Sequence, residues 1–554
     1  MLLFDRILAS RGIDDTNKAS FLLPNYSEVK HDPFLLPDMD KAVDRLVLAL
    51  NNQDKIMIYG DYDIDGLTST ALLFDALKSF GYGDVGTYIP SRFDEGYGLT
   101  IASIEKIASS GTKLIVTVDC GSRSESEIIK ANELGVDVIV TDHHNVASVQ
   151  PPAIAVVNPK RPDSRYPFCN LAGVGVAFKL VQALQARLNE KYLDSSSISS
   201  GLPCGQEKWL LDLVAFGTVC DVVSLTDENR AYVFWGLNVL KKTKRLGLKA
   251  LIAVSNLETE KINSRSLGYV LGPRMNAAGR LETAGCALDL LITKSPEIAF
   301  EKAQYLDELN TKRRSEQDKI FKEASIQVEV RSDDPVIVVS GKEWNHGIVG
   351  IVASKLLEKY HKPALVLQEL SDISKGSARS FGDFNIAQAI EACKSLIKSG
   401  GGHSLAAGIT LPTENIDAFR QMINKFYKQL NLTDQELALL PKVDAVADLS
   451  EISEDLVLQI DQLEPFGSGN SRPVLQTNAL TVRKVFIMGN NRQHLKLELS
   501  DKNGLKMTFL AFNAPKNYFV KPGACVSVRY DIELNEWNGM RSVEGRLLYL
   551  ETND

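Results

Sequence analysis

The stretch KIMIYGDYDIDGLTSTALLF, residues 55–74, decides the fold. Four apolar residues, Ile56 to Tyr59, make a run of strand length, and Asp61, Asp63 and Asp65 follow it at once. From Thr68 to Phe80 the apolar residues return at helical spacing. The pattern then repeats: LIVTV (Leu114 to Val118) ends in Asp119 and precedes a helical stretch from Glu125 to Leu134, and VDVIVT (Val136 to Thr141) ends in Asp142, His143 and His144. Strands alternating with helices of this length predict a parallel sheet built from right-handed crossovers.

A parallel sheet delivers the carboxyl ends of its strands to one edge, where open α/β folds bind ligands. Asp61, Asp63, Asp65, Asp119 and Asp142 should therefore converge there with His143 and His144. Any one strand-terminal Asp is explained as well by a helix cap or a turn. Three strand ends carrying acid in register are not. Carboxylates packed this closely repel by on the order of several kcal/mol in a partly buried cleft unless cations neutralise them. Aspartate oxygens with imidazole nitrogen suit Mn²⁺ or Mg²⁺ better than zinc. The ligand count suffices for two ions about 3.5–4 Å apart, the arrangement used in phosphoester hydrolysis. Gly66 is expected to permit the tight turn after the triad, with Thr68, Ser69 or Thr70 capping the helix.

The chain has 554 residues, 44% of them hydrophobic and 24% charged, which implies three or four domains and excludes disordered and fibrous classes. No apolar run is long enough to span a membrane, and Asp5 and Arg6 interrupt what would be a signal peptide's apolar region, so a cytoplasmic protein without a membrane association is expected. Seven cysteines without a C-x-x-C pair fit a reducing compartment. Five blocks are expected. Residues 1–46 form an appended segment, 47–295 the first α/β lobe, 296–330 a long polar connecting helix, 331–435 a second, smaller α/β lobe, and 436–554 a β-rich domain. The strands LTVRKVFI, HLKLELS, LKMTFLAF, CVSVRYDIEL and RLLYL of the last block suggest a small barrel of OB type. The Ser-rich stretch 194–206 is expected to be an exposed loop.

GDYDIDG, TVDCG, TDHH and GTVCDVVSL, in that order, resemble the DHH phosphoesterase superfamily. RFDEGYGL (Arg92 to Leu99), GPRMNAAGRL (Gly272 to Leu281), GIVGIVASKL, GSARS (Gly376 to Ser380), GGHSLAAG (Gly401 to Gly408) and PFGSGN (Pro465 to Asn470) extend the resemblance to its bacterial single-strand-specific exonucleases, over nearly the whole chain from about residue 50. The resemblance implies that Asp63, Asp65, Asp119, His143 and Asp221 bind metal, with Asp61 alongside, while Asp142 and His144 support His143 or touch the scissile phosphate. Spacing alone does not separate Asp221 from a helix-terminal Asp. The resemblance also implies cleavage of single-stranded DNA from the 5′ end to nucleotide 5′-phosphates, in repair and recombination. It further implies a monomer that works with a helicase and a single-strand-binding protein. Related enzymes that act on short oligonucleotides, cyclic dinucleotides or polyphosphate, and inactive binding scaffolds of the same fold, are the alternatives.

Arg274 and Arg280 offer guanidinium forks suited to phosphate oxygens, the alternative being structural salt bridges, and Arg280 and Asn276 are expected to face the nucleic acid. The resemblance implies that Ser377, Arg379, Gly402 and His403 form a pocket for the 5′ end or the terminal nucleotide. The family's histidine after the tryptophan is absent here, where the order is Trp344, Asn345, His346. The glycine pair of GVGVAF (Gly173 to Phe178) makes a poor dinucleotide site. The basic runs Lys241 to Lys249 and Thr311 to Ser315 are solvated helix faces by default and phosphate contacts otherwise. Among Phe486, His494, Phe509, Phe512, Tyr530 and Trp537 of the barrel, about half should be core and the rest free to stack bases. The formal charge of −8 argues against a simple nucleic-acid binder, but six of the acids lie in the metal cluster and two divalent ions would bring the total to about −4. A positive cleft on an acidic body is the expectation.

Overall fold

The computed structural model describes residues 1–192, 205–433, 440–489, 492–537 and 539–553. Most of the stretch expected as a Ser-rich loop, and the side chain of Trp537, fall outside them. Two compact units emerge, one of residues 31–223 and 235–439, the other of 1–30, 224–234 and 440–554.

In the larger unit, the Ile56–Tyr59 run is strand β1. Strands β2 (Val85–Tyr88), β3 (Leu114–Val118), β4 (Asp137–Thr141) and β5 (Ala155–Val157) complete a parallel sheet in the order β2-β1-β3-β4-β5. β3 is buried at every position, the continuous apolar run of a strand covered on both faces. The two strands that the sequence pattern missed, β2 and β5, are the sheet's edges, and only the acid-bearing β1, β3 and β4 occupy its centre. The helix after β1 runs Ile64–Ser79, four residues earlier than expected. Asp63 caps it, its side chain accepting from the Gly66 N–H at 3.1 Å, while Thr68, Ser69 and Thr70 bond back to carbonyls of the preceding turn. Gly66 serves close approach rather than a turn: a Cβ there would lie 2.5 Å from the Asp61 carbonyl oxygen.

The connecting helix spans Pro296–Val330, capped by Ser295. The second lobe follows with β6 (Ile337–Gly341), β7 (Ala364–Glu369), β8 (Ile373–Arg379), β9 (Ser399–Gly402) and β10 (Ala406–Pro412), in the order β6-β7-β8-β10-β9. Only β6 and β7 are parallel; β8, β9 and β10 pair antiparallel. The helix His346–Tyr360 packs over this sheet, with Ile348, Val349, Val352, Ala353 and Leu356 in its core.

In the other unit, β11 (Ala445–Val446) joins β12 (Leu475–Met488), which leads through β13 (His494–Ser500), β14 (Lys506–Ala511), β15 (Cys525–Trp537) and β16 (Met540–Thr552). Pairing of β14 with β16 and of β12 with β15 closes the five long strands into a barrel. Phe509 and Tyr530 meet edge to face inside it at 4.9 Å, whereas Phe486 and Phe512 are exposed and His494 stands edge-on to Phe512 at 5.6 Å. Residues 1–46, expected as one appended segment, divide. The helix Leu3–Ser10 buries Leu3, Phe4, Ile7 and Leu8 in the core shared with Leu449, Leu456 and Ile460, and Arg11 pairs with Asp444 at 2.7 Å. An isolated eight-residue helix is marginal in water, but burying each of these side chains contributes about 1.5–3 kcal/mol. The helix Met39–Asn52 belongs to the larger unit. No described helix is long and apolar enough to cross a membrane.

Candidate active site

The carboxyl edge of the parallel sheet gathers the acids as expected, and backbone bonds fix them there. The Asp119 amide donates to the Thr141 carbonyl at 3.0 Å and the Asp142 amide to the Val157 carbonyl at 3.1 Å, so the ladder runs one residue past β3 and β4. Asp119 itself has φ +60, a left-handed conformation that turns the chain away from the sheet immediately after the carboxylate. Asp221 arrives by a different route. It ends the buried helix Leu211–Cys220, which packs on Ile64–Ser79 at Gly217, where a Cβ would lie 2.4 Å from the Thr68 hydroxyl and 2.9 Å from an Asp65 oxygen. Val222, β-branched and exposed, takes φ +62 directly after it, backbone strain of the kind that accumulates at functional sites.

The His143 Nε2 lies 3.1 Å from Asp119 Oδ1, 3.6 Å from Asp221 Oδ2 and 3.7 Å from Asp65 Oδ2. Three groupings bring ligand atoms within 4.8 Å of one another: Asp61, Asp63 and Asp119; Asp65, His143 and Asp221; and Asp119, His143 and His144. Both ring nitrogens of His143, and an oxygen each of Asp61, Asp119 and Asp221, are buried without any hydrogen-bond partner. Such atoms are costly to leave unsatisfied unless a cation takes their lone pairs. Burial, and then the charge of Asp63, push Asp65 up to about 7. Burial and the charge of Asp65 push Asp221 up to about 9, and Asp61 and Asp119 are also raised well above the carboxylate range. Burial holds the His143 imidazole down at about 3, neutral as a metal ligand must be. The donor set, mostly carboxylate with one or two imidazoles, fits hard divalent ions such as Mn²⁺ or Mg²⁺.

Asp142 has a different environment. Despite burial, which opposes ionisation, it is held low by the hydrogen bond and charge of His144. Its oxygens accept from the amides of His143 at 2.7 Å, His144 at 3.1 Å and Ser122 at 3.0 Å, and it meets His144 Nδ1 at 2.8 Å. A carboxylate bonded in this way positions the two histidines rather than lying open to a metal. Asp65 is partly steered too: the Gly173 and Val174 amides, at the start of the helix Gly173–Tyr192, donate to its two oxygens at 2.6 and 2.8 Å. The GVGVAF glycine thus serves the acid cluster. A Cβ on Gly173 would lie 2.7 Å from Asp119. The Tyr97 hydroxyl, which donates to the Asp119 carbonyl at 3.2 Å and lies 3.0 Å from His144 Nδ1, was not foreseen.

Four guanidiniums share one neighbourhood in the same unit. Burial, and then the charges of Arg92, Arg313 and Arg379, lower Arg280 to about 10. Arg280 donates to the Gly347 carbonyl at 3.0 Å, Arg379 to the Ala378 carbonyl at 2.8 Å, and Arg313 to Gln317 and Asn310 at 3.0 and 2.8 Å, while Arg92 lies over the Tyr62 ring at 4.2 Å. Among the described residues none of the four is paired with a carboxylate. Cations without carboxylate partners, Arg313 buried and the other three half-buried, call for a polyanion. Arg313 comes from a basic run whose default was a solvated face, and Arg92 from a motif to which no role was attached; neither is visible as a phosphate group without the fold. Arg274 behaves otherwise, its Nε bonded to Asp307 at 2.7 Å and its Nη1 to the Val270 carbonyl at 2.8 Å, so the structural alternative describes it. Asn276 is half-buried on the same helix, Gly272–Leu281. Ser377 and Arg379 share one face of β8, close to Gly350 of the covering helix. Gly402 and His403 lie exposed at the β9–β10 turn, next to the strand position that pairs with Arg379. Asn345, at the family's histidine position, caps the following helix by accepting from the Gly347 amide at 2.8 Å.

Residues 55–218 match the DHH family N-terminal domain, 333–429 the DHHA1 domain and 443–548 the RecJ OB domain. The chain is 38% identical over 97% of its length to the single-stranded-DNA-specific exonuclease RecJ of Bacillus subtilis, and spans 66% of that protein. It is 33% identical, over its whole length and 96% of the relative's, to the protein of the same name from Haemophilus influenzae. The crystal structure of RecJ in complex with Mn²⁺ from Thermus thermophilus superposes with a TM-score of 0.81 at 26% identity, covering all of this chain and 76% of that one. Identity at this level over the whole chain, together with the three domain matches, establishes that the chain belongs to the RecJ family of DHH proteins.

Proposed function

We propose that this protein is a metal-dependent exonuclease that degrades single-stranded DNA from its 5′ end to nucleotide 5′-phosphates, in DNA repair and recombination. The observation that carries this reading is the pairing of two unsatisfied sets: buried carboxylates and a neutral imidazole without partners, and buried or half-buried guanidiniums without carboxylates. A nucleic-acid phosphate with divalent ions completes both. The family membership supports the substrate class and the polarity.

Asp63, Asp65, Asp119, His143 and Asp221 hold two Mn²⁺ or Mg²⁺ ions, with Asp61 beside them. Bound there, the ions supply a lowered pKa for water and charge neutralisation at the phosphoryl oxygens. Asp142 fixes the peptide and ring orientation of both histidines. Its hydrogen bond raises His144 despite burial, and the ring serves as a hydrogen-bond donor to a phosphate oxygen at the cluster's edge. Arg280 and Arg379, supported by Arg92 and Arg313, grip the phosphates, and Ser377, Asn276, Gly402 and His403 complete the seat of the 5′ end. The exposed Phe486 and Phe512 with His494 form a sequence-tolerant stacking surface on the barrel. The blocks 47–295, 296–330, 331–435 and 436–554 act as metal lobe, connector, end-binding lobe and strand-binding barrel. The enzyme works as a cytoplasmic monomer beside a helicase and a single-strand-binding protein.

The test is a 5′-phosphorylated single strand, its 3′-labelled counterpart and the matching duplex, each incubated with Mn²⁺ or Mg²⁺. Mononucleotides released progressively from the 5′ end of the single strand are expected. Intact DNA, from a sample whose metal content is confirmed, refutes the reading; hydrolysis of dinucleotides or polyphosphate alone favours another DHH enzyme.

A further inference from the structure

A cavity of about 470 Å³ lies near the arginine group, Arg92 being close enough to act electrostatically on His346 of its lining. Phe93, Ile320, Trp344, His346 and Gln368 line it, contributed by the 91–100 loop, the connecting helix and the second lobe. Chain adjacency links it to the phosphate-binding group at two points. Phe93 follows Arg92, and His346 precedes Gly347, whose carbonyl accepts from Arg280 at 3.0 Å. The volume is that of a small-ligand site.

The lining selects a neutral, flat occupant. Phe93 is 45% exposed, a large aromatic face without a protein partner to cover it. Trp344 is buried and held by its indole N–H, which donates to Glu323 at 2.7 Å, so it forms a rigid wall. At the mouth, Lys319 is neutralised by Glu343 at 3.3 Å, and Glu316 adds a further carboxylate, which makes the cavity unsuited to a phosphate. His346 Nδ1 is buried without a partner. An orphaned N–H is rarer than an orphaned lone pair, which places the ring's proton on Nε2 as a donor. Burial, and then Lys375 and Arg92, keep the ring neutral. The Gln368 amide offers both a donor and an acceptor.

We propose that this cavity receives the base of the 5′-terminal nucleotide of the strand, stacked on Phe93 and met at its edge by His346 and Gln368, while the arginine group holds that nucleotide's phosphate. The subsite rests on the exonuclease reading and extends it: end recognition includes the base as well as the phosphate. Stacking tolerates every base, so the site reads the presence of a base and not its identity.

The test compares kcat/KM on two 5′-phosphorylated single strands that differ only at the 5′-terminal nucleotide, normal in one and an abasic tetrahydrofuran in the other, with Mn²⁺. The wild type should prefer the normal end by about tenfold, the range for loss of one base–aromatic stack. Phe93→Ala and His346→Ala should each reduce that ratio towards one; His346→Gln, which keeps a side-chain donor, should reduce it less. Phe93 is exposed enough that its substitution leaves the fold intact. A wild type that cleaves both strands equally overturns the subsite, as does a preference that neither alanine variant alters. A wild type that cleaves neither strand overturns the exonuclease reading, and the subsite with it.

Discussion

Gly173→Ala perturbs the metal cluster through one added methyl group. The new Cβ would lie 2.7 Å from both Cβ and Oδ1 of Asp119 and 2.9 Å from its Cγ, where ordinary contact begins at 3.4 Å. Asp119 must therefore move by about 0.7 Å or the helix Gly173–Tyr192 must retreat by as much, and in the second case the Gly173 and Val174 amides loosen their hold on Asp65. Either way a metal-ligand carboxylate is displaced. A misplacement of about 1 Å at a reacting centre costs on the order of 10²-fold in rate, so kcat should fall by about tenfold to a hundredfold, or about 1.4–2.7 kcal/mol of transition-state stabilisation. Stability should fall by about 1–3 kcal/mol from overpacking beside the buried Asp119, partly offset because Gly173 does not have a positive φ and alanine is favoured over glycine in a helix. The assay is single-turnover release from a labelled single strand across a Mn²⁺ titration, with calorimetry for Mn²⁺ affinity and a melting curve for stability. Gly175→Ala is the control, since its Cβ meets only the flexible side chain of Leu171 at 3.3 Å and should leave the rate near wild type. Wild-type rate and Mn²⁺ affinity in Gly173→Ala would show that the acids are not held as closely as argued.

The raised carboxyls tie the stability of the metal-free protein to pH. For Asp65 at about 7 and Asp221 at about 9, the folded state retains protons that the unfolded state has released, so this stability is present below the ordinary value of 3.8 and is lost as pH rises through the folded values. Melting temperature in a chelator should therefore decline from pH 5 to pH 9, and saturating Mn²⁺ should remove most of the decline; a flat chelator profile would contradict the burial of these acids. Two arginines on one helix should separate in behaviour. Arg280→Gln should raise KM for DNA and flatten the log–log salt dependence of binding by about 0.7, the loss of one phosphate contact on a single strand. Arg274→Ala should lower stability by about 1 kcal/mol through loss of the contacts to the partly solvated Asp307 and the Val270 carbonyl and leave the salt slope unchanged, with denaturant melts and anisotropy titrations as the measurements. Phe486→Ala with Phe512→Ala should weaken binding of long strands about tenfold or more while sparing short oligonucleotides, and equal loss on both lengths would remove the barrel's stacking role.

The positions of the acids were legible because short apolar runs alternating with stretches of helical period locate strand ends, and parallel strands share one carboxyl edge. Asp221 was legible only through the resemblance, since its approach depends on Gly217 letting one helix pack tightly on another, a contact with no local signature. The role of Gly173 was hidden for the same reason: the amides that bind Asp65 are 108 and 109 residues away along the chain. The expected caps at Thr68 to Thr70 gave way to Asp63, because a carboxylate already beside the first turn satisfies the orphan amide sooner. Residues 1–46 mix short apolar runs with polar breaks and look like an appended segment, yet the short helix at their start finds the apolar partners it needs among residues 440–554.

By itself, then, the sequence determined the alternating architecture, the barrel, the chemistry of the metal ligands and the sign conflict between an acidic chain and a nucleic-acid substrate. Tertiary structure alone decided which charges are neutralised within the protein and which are left for a ligand. Arg274 and Arg280 stand six residues apart on one helix and look alike in the sequence. One faces Asp307 and is neutralised; the other faces three further guanidiniums and is not. Charge type is a local property, but compensation depends on what the fold brings within a few ångströms, and desolvation makes that difference large.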